Sequence, residues 1–345
     1  MKIMKRGLIL LGWLLAGGSL SAAQPIVIAH RGASGYLPEH TLPAKALAIG
    51  FGVDFVEQDV VLTKDGVPIV SHDIEIDTVT DVATRFPGRA RSNGRYYAID
   101  FTWDELRQLR VHERVNAQTG EAVYPQRFPV GRSTFALHTL EEELQFVQGV
   151  NRSLGRNVGI YLELKAPLWH RAQGRDISVV VLEVLARYGY VTKDDPFFVQ
   201  CFEFEEVKRL RDELGFRGRL VQLIGRYVEG EIHAQDAVAG RKDNTALLQP
   251  EGLAEVARYA DGIGPALTAL FDVKKGKPVK PSAVVKNAHA LGLVVHPYTV
   301  RKDAQPKFAG TTERMLELLF REAGVDGVFA DHPDVVLDYL QRASR

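Results

Sequence analysis

Short apolar runs alternate with longer stretches of mixed polarity along most of the chain. The short runs are rich in β-branched and aromatic residues, which is typical of buried strands, and the longer stretches repeat apolar residues at helical spacing. Strands are predicted at residues 25–31, 54–61, 159–165, 197–203, 219–225, 261–267, 293–300 and 326–333. Helices are predicted at residues 41–50, 139–155, 176–189, 205–215, 251–260, 282–292, 312–324 and 334–343.

Strands that alternate with helices in this way predict an α/β protein with the TIM (β/α)8 barrel fold. Parallel barrel strands are buried on both faces and therefore read as continuous apolar runs. A doubly wound open sheet is the alternative. Residues from about 74 to 135 break the alternation after the second strand, and we expect them to form an insertion that covers the substrate. The arginines in this stretch indicate either a solvated surface loop or a secondary anion contact, and they are Arg85, Arg89, Arg91 and Arg95.

The first 23 residues have the order of a secretory signal peptide. Basic residues precede a short apolar core, and small residues follow it up to Ala23. We expect cleavage after Ala23, export, and a single barrel domain over residues 24–345. The apolar core is far shorter than the roughly 20 residues that span a bilayer, and no later segment reaches that length, so no stable membrane anchor is expected.

Composition narrows the kinds of chemistry that the chain can perform. Cys201 is the only cysteine, which excludes an internal disulfide and a cluster of thiolate ligands. The 43 Lys and Arg residues balance the 43 Asp and Glu residues. The molecule as a whole therefore has no net field that would attract nucleic acid or an anionic membrane, and recognition must be local.

Carboxylates occur late in two of the predicted strands. Glu57 and Asp59 are two residues apart, which places both side chains on one face, and Glu163 occupies a similar position in a second strand. The carboxyl ends of barrel strands meet at one mouth, where three carboxylates would repel one another without a cation. A purely oxygen ligand set favours calcium or magnesium. For any single pair, a salt bridge at the strand edge is the alternative.

Two histidines also close apolar runs beside these carboxylates. His30 and His72 suggest a general acid and a general base, although one such histidine alone could be structural. Arg31 offers forked donors for a phosphate oxygen and Lys165 adds a point charge. Because His30 and Arg31 are adjacent, the chain must turn there for both to reach one site, and Gly32 permits the turn. Together these residues predict a phosphoryl-transfer site.

These motifs resemble a known family. The segments "HRGASGYLPEHT", "VEQDVVLTKDGVPIVSHD", "YLELK", "VHPYTVR" and "VDGVFADHP" are similar to those of glycerophosphodiester phosphodiesterases, most closely the exported, periplasmic bacterial type. The resemblance implies the barrel fold and hydrolysis of glycerophosphodiesters, such as glycerophosphocholine, to sn-glycerol 3-phosphate and an alcohol. It also implies calcium as the ion. The implied roles are metal ligation by Glu57, Asp59 and Glu163, acid–base catalysis by His30 and His72, and phosphate binding by Arg31 and Lys165.

The resemblance further suggests where the substrate lies. Glu39 matches the family's glutamate near the first histidine, but His40 replaces the usual asparagine after it. We expect Phe202 or Tyr298 to pack on the glycerol carbons and Gln200 to share a face with Phe202, with barrel packing as the alternative.

Two other functions remain open at this stage: an exported protein that binds phosphodiesters without turnover, and a phospholipase D-like lyase that releases a cyclic phosphate. The expected partner is a small phosphodiester and not nucleic acid. Whether the protein is a homodimer, which alcohol it prefers, and whether water or the substrate's glycerol hydroxyl attacks are all open.

Overall fold

A computed structural model describes residues 24–225 and 243–345. The expected signal peptide, residues 1–23, lies outside the described residues. The strands are β1 Ile26–Ala29, β2 Phe55–Leu62, β3 Pro68–Val70, β4 Arg110–Val111, β5 Phe135–Ala136, β6 Gly159–Leu164, β7 Phe197–Cys201, β8 Arg219–Ile224, β9 Gly262–Pro265, β10 Phe271–Asp272, β11 Lys280–Pro281, β12 Val294–Val295 and β13 Gly327–Ala330.

The described helices lie between the strands along the chain and after the last strand. They are α1 Leu42–Phe51, α2 Val82–Arg85, α3 Trp103–Leu106, α4 Leu140–Leu154, α5 Pro167–Ala172, α6 Ile177–Arg187, α7 Phe204–Asp212, α8 Pro250–Val256, α9 Val284–Ala290, α10 Thr312–Glu317 and α11 Pro333–Ala343. Local chemistry defines their ends: α4 begins at a capping box between Thr139 and Glu142 and ends at Gly155 in the left-handed conformation. No described helix is both long and apolar enough to cross a membrane.

Eight parallel strands of the described chain form a nearly closed barrel. Their order is β12-β9-β8-β7-β6-β2-β1-β13, and β3 pairs antiparallel with β2. The segment after β12 joins the two ends of this order, since Phe329 N donates to Pro297 O at 3.1 Å and Val300 N donates to Phe329 O at 2.8 Å. The predicted (β/α)8 barrel is therefore confirmed, and the open-sheet alternative is wrong.

An aromatic layer fills the interior of the barrel. Tyr161 and Phe198 stack with ring centroids 4.6 Å apart, and the buried residues packed around them are Ile28, Phe55, Val221 and Phe329. Side chains point inward at every second residue along a strand. The next inward residue after each member of this layer therefore lies two positions nearer the carboxyl end of its strand. This layer closes the barrel below the mouth and leaves the polar positions above it.

Residues 74–135 form a compact structure over the mouth. They contain the β4–β5 pair and most of an apolar cluster that also includes Val61, Ile69, Leu137 and Trp169. Tyr97 stacks on Trp169 of α5 with ring centroids 5.7 Å apart. The arginines expected there bind partners within the same segment: Arg89 pairs with Glu105, Arg91 with Asp100 and Arg95 with Asp77 at 2.7–2.9 Å, and Arg85 donates to Gln108 O. Three of the four arginines therefore have a carboxylate partner within the segment, and Arg95 also lines the cavity at the mouth.

A buried ion pair braces the outer side of β2. Lys45 of α1 lies 2.9 Å from Glu143 of α4, and neither side chain is exposed to solvent. Glu143 also accepts from Gln58 Nε2 at 2.8 Å and contacts His138 Nε2 at 2.6 Å, while Lys45 donates to the backbone oxygen of Glu57. This network fixes two helices to β2 directly behind the strand's inward carboxylates.

Removing one charge of this pair should destabilise the fold. In Glu143→Gln the shape of the side chain is kept but the buried Lys45 ammonium loses its counter-charge, a change that typically costs about 3–5 kcal/mol. Urea denaturation of the metal-free protein measures the loss. Asp104→Asn, which breaks a solvent-exposed pair with Arg107, is the control and should change the unfolding free energy little. Equal stability of Glu143→Gln and the native chain would contradict a bracing role.

The same pair gives the stability a dependence on pH. Although burial opposes it, the charge of Lys45 and the bond from His138 lower the pKa of Glu143 from 4.5 to about 2. The ionised carboxylate therefore stabilises the fold fully above pH 4.5, and this stabilisation disappears as the pH falls toward 2. Across that window Glu143→Gln should lose less unfolding free energy than the native chain, as measured by urea titrations at each pH.

Candidate active site

A cavity of about 1000 Å³ lies at the carboxyl ends of the strands, beneath residues 74–135. Both the barrel and the insertion contribute to its wall. The residues predicted for the site that line it are His30, Arg31, Glu39, Glu57, His72, Glu163, Gln200, Phe202 and Tyr298. Asp59 and Lys165, the two remaining predicted residues, are buried next to Glu163. The structure therefore brings together all the residues that the sequence selected.

Three carboxylates form the centre of the site. The parallel register places Asp59 of β2 beside Glu163 of β6, and Glu57 lies two residues earlier on the same inward face. One oxygen from each of the three groups lies within 4.8 Å of the others, and all three residues are buried. This cluster could hold a metal ion.

The surroundings of the cluster fit a hard cation. Asp59 Oδ1 is buried and makes no hydrogen bond to any described residue, while all three donor groups offer oxygen only. Burial and the neighbouring Asp59 charge raise the pKa of Glu57 well above its usual value. Burial would also raise the pKa of Asp59, but Lys165 and His40 hold it well below its usual range. A cation would favour the ionised form of all three groups.

His40 supports the cluster from outside. Its Nε2 lies 2.6 Å from Asp59 Oδ2, and Lys45 Nζ lies 3.5 Å from its Nδ1. Because the Lys45 ammonium donates to Nδ1, a neutral imidazole carries its proton on Nε2 and donates it to Asp59. His40 therefore supplies a donor to this carboxylate.

Each predicted catalytic histidine is held by an aspartate through Nδ1. His30 Nδ1 lies 2.6 Å from Asp331 Oδ1, and His72 Nδ1 lies 2.5 Å from Asp73 Oδ1. An ionised carboxylate can only accept, so Nδ1 carries the proton in both rings and Nε2 remains for chemistry. His30 Nε2 lies 3.8 Å from Glu57 Oε2, at the carboxylate cluster.

The surroundings of both histidines favour the neutral imidazole. Burial and the charge of Arg31 lower the pKa of His30 to about 4, although Asp331 opposes this shift. Burial, followed by the charges of Arg31 and Lys165, lowers the pKa of His72 well below its usual value. Neutral imidazoles with a lone pair on Nε2 are competent bases, and the negative charge of a phosphodiester would favour protonation of one of them.

The expected turn after β1 brings Arg31 into the same site as His30. Arg31 itself adopts the left-handed conformation with φ 60°, followed by Gly32 with φ 86°. A Cβ at Gly32 would lie 2.8 Å from the backbone carbon of Ala44, so the position requires glycine. Arg31 donates through its backbone N–H to Glu57 at 2.8 Å and through Nη1 to Glu39 at 3.0 Å.

The predicted substrate contacts Gln200, Phe202 and Tyr298 line the same cavity. Phe202 and Tyr298 meet edge to face with ring centroids 5.7 Å apart. Gln200 donates to Glu57 Oε1 at 3.1 Å, so one of its roles is to support the carboxylate cluster.

Sequence reasoning missed the residues that orient the histidines. Asp73 and Asp331 could have been found, because each is a polar residue directly beside a strand end in the quoted motifs "SHD" and "FADHP". Arg114 and Arg127 contact these aspartates from the insertion. No sequence pattern distinguishes these two arginines from the insertion's other basic residues.

Comparison with known proteins identifies the family. The model of the glycerophosphoryl diester phosphodiesterase family matches residues 30–335. The chain is 44% identical to the glycerophosphodiester phosphodiesterase of Haemophilus influenzae, over 92% of this chain and 90% of the relative. It is 37% identical to the glycerophosphodiester phosphodiesterase of Treponema pallidum, over 94% of each chain.

Solved structures share the fold. A structure from Silicibacter pomeroyi matches with a TM-score of 0.66 at 24% identity, covering 93% of this chain and 95% of the other. A phosphodiesterase of Oleispira antarctica, in complex with the product sn-glycerol-3-phosphate, matches with a TM-score of 0.60 at 20% identity, covering 92% and 97%. The family match and the two relatives confirm the resemblance seen in the motifs. The chain belongs to the glycerophosphoryl diester phosphodiesterase family and is a glycerophosphodiester phosphodiesterase.

Proposed function

We propose that this enzyme hydrolyses glycerophosphodiesters such as glycerophosphocholine to sn-glycerol 3-phosphate and the free alcohol. Two histidines catalyse the reaction together with a divalent cation, and calcium is the first candidate for this ion. The observation that carries the proposal is the pair of aspartate-bound histidines at the same cavity as the three buried carboxylates. The bound sn-glycerol-3-phosphate in the Oleispira antarctica relative supports the product.

Different residues of the cavity would bind the cation and the phosphate group of a phosphodiester. Glu57, Asp59 and Glu163 would hold the cation, which neutralises charge on the phosphate and orients it. Arg31, anchored on Glu39, offers forked donors to the phosphate oxygens from a residue whose Nε is buried without a hydrogen bond to any described residue. Lys165, 2.8 Å from Glu163, adds a second positive charge behind the site.

His30 and His72 would supply the proton transfers. One imidazole takes at Nε2 the proton of the attacking water or glycerol hydroxyl, and the other gives a proton to the oxygen of the leaving alcohol as the phosphorus–oxygen bond breaks. If the glycerol hydroxyl attacks, water then opens the cyclic phosphate with the two histidine roles reversed. Asp331 and Asp73 fix the tautomers that this exchange requires. A protein that only binds phosphodiesters has no use for two oriented acid–base pairs, which favours turnover.

Export through an N-terminal signal is proposed from the sequence of residues 1–23 alone. Mass spectrometry of the protein secreted to the periplasm should give a mature N-terminus at Gln24. An intact Met1 in the mature protein would exclude cleavage.

The carboxylate cluster should bind calcium. Glu163→Gln and Asp59→Asn are each expected to weaken calcium binding at least about tenfold, because each replaces a charged carboxylate ligand with a neutral amide oxygen. Isothermal titration calorimetry with calcium, and then magnesium, measures it. Glu141→Gln, on the exposed face of α4, is the control. Unchanged calcium affinity in both cluster variants would exclude this metal site.

The histidines should be required for turnover. His30→Asn and His72→Asn are each expected to lower kcat/KM for glycerophosphocholine about 10²–10⁴-fold, the usual contribution of general acid–base catalysis. The assay follows sn-glycerol 3-phosphate release with and without chelator. The exposed His289, which pairs with Asp326, provides the control His289→Asn. Full activity of either active-site variant would remove that histidine from the mechanism.

The attacking group can be tested with a modified substrate. We expect attack by the neighbouring glycerol hydroxyl to leave a cyclic phosphate intermediate, and direct attack by water to leave none. A diester that lacks this hydroxyl would bind but not react in the first case and would still be hydrolysed in the second. A cyclic phosphate as the final product from glycerophosphocholine would indicate the lyase instead.

A further inference from the structure

We propose that two arginines of the insertion, Arg114 and Arg127, are positioning residues, each holding one histidine–aspartate pair, so that the insertion sets the acid–base geometry as well as covering the cavity. The inference rests on the proposed catalytic role of the two histidines. The inference is drawn from the contacts of two guanidinium groups, which reach the mouth of the barrel from residues 74–135.

Arg114 bridges two carboxylates of the site. Its Nη1 contacts Asp73 Oδ2 at 2.5 Å, on the aspartate whose other oxygen holds His72. Its Nη2 and Nε contact Glu39 at 2.6 and 3.0 Å, and Glu39 in turn accepts from Arg31. Arg114 is only 5% exposed. One side chain therefore joins the support of His72 to the support of the phosphate-binding Arg31.

Arg127 makes the corresponding contact with the aspartate that holds His30. Its Nη2 lies 2.6 Å from Asp331 Oδ2, on the aspartate whose Oδ1 holds His30. Arg127 is fixed by Asp303, with contacts at 2.7 and 3.0 Å, and its guanidinium group lies 3.6 Å from the centre of the Tyr124 ring. Its side chain is only 4% exposed.

The chemistry of a buried carboxylate explains why each pair needs an arginine. An aspartate that accepts from an imidazole through one oxygen leaves charge on the second oxygen, and burying that charge without a partner is costly. A guanidinium group satisfies the second oxygen and keeps its remaining donors for another acceptor, which fixes the rotation of the carboxylate and so of the imidazole. Lysine has a point charge and cannot reproduce this fork.

The two arginines differ in how far they can be replaced. Asp331 also accepts from Arg301, a barrel residue, at 3.0 Å, so it retains one guanidinium partner when Arg127 is lost. Arg114 acts on both His72 and Arg31. Loss of Arg114 should therefore raise KM as well as lower kcat, whereas loss of Arg127 should act chiefly on kcat and to a smaller extent.

The test uses Arg114→Ala, Arg114→Lys, Arg127→Ala and Arg127→Lys in the full-length protein with calcium. We expect kcat/KM for glycerophosphocholine to fall about 100-fold in the Arg114 variants, as for a misplacement of about 1 Å, and less in the Arg127 variants. Added guanidinium chloride should restore part of the activity to the alanine variants, and ammonium chloride should not. Arg107→Ala, an exposed arginine of the same insertion, should behave as the native chain.

A change of leaving group separates positioning from a merely structural role. Choline leaves as an alcohol and needs a proton from an imidazole, whereas 4-nitrophenolate leaves without one. With sn-glycero-3-phospho-4-nitrophenol as the substrate, the arginine variant that disturbs the acidic histidine should recover most of its rate. The variant of the pair that acts as the base should remain slow on both esters.

Equal losses on both esters in both sets of variants, without rescue by guanidinium, would overturn the proposal even if the native enzyme is active. An alanine variant that fails to fold is judged by its lysine counterpart, whose melting temperature and calcium binding are measured alongside. A native enzyme that releases sn-glycerol 3-phosphate from neither ester would instead refute the proposed function.

Discussion

The structure depends on one geometric constraint, the two-residue period of the barrel strands. Each residue of the aromatic layer is followed two positions later by a residue of the site, because both point inward. The pairs are Ile28 and His30, Phe55 and Glu57, Tyr161 and Glu163, Phe198 and Gln200, Val221 and Leu223, and Phe329 and Asp331. A shift of register by one residue would turn the inward side chains of a whole strand outward. The packing of the barrel core therefore also fixes which side chains point inward at its mouth.

This geometry concentrates charge in a small buried volume, and the chain compensates for it in successive shells. The three carboxylates face Arg31 and Lys165, while Asp73 and Asp331 lie between histidines and arginines. Behind β2, the Lys45–Glu143 pair holds the backbone of the carboxylate-bearing strand. Asp59 Oδ1 is buried and makes no hydrogen bond to any described residue, and a cation held by the cluster would compensate its charge.

The sequence predicted the barrel and the inner site because both follow local rules. Apolar runs mark buried strands, and polar residues late in those runs mark the mouth, which located His30, Glu57 and Glu163 correctly at one cavity. Arg114 and Arg127 were not predicted because their aspartate partners lie 41 and 204 residues away along the chain. Only the folded path of the insertion shows which of its many arginines turn inward and which, like Arg91, pair on the surface.

The arginine that bridges Glu39 and Asp73 also limits how this enzyme can be redesigned. Its partners belong to the β1–α1 connection and to the segment after β3, so the insertion is electrostatically joined to the barrel at its centre and not only at its two ends. Exchanging residues 74–135 for the corresponding segment of another barrel would remove Arg114 from both Asp73 and Glu39, and only Glu39 would keep a second arginine, Arg31. Substrate preference in this architecture is therefore better altered by changing side chains on the cavity wall than by grafting whole loops.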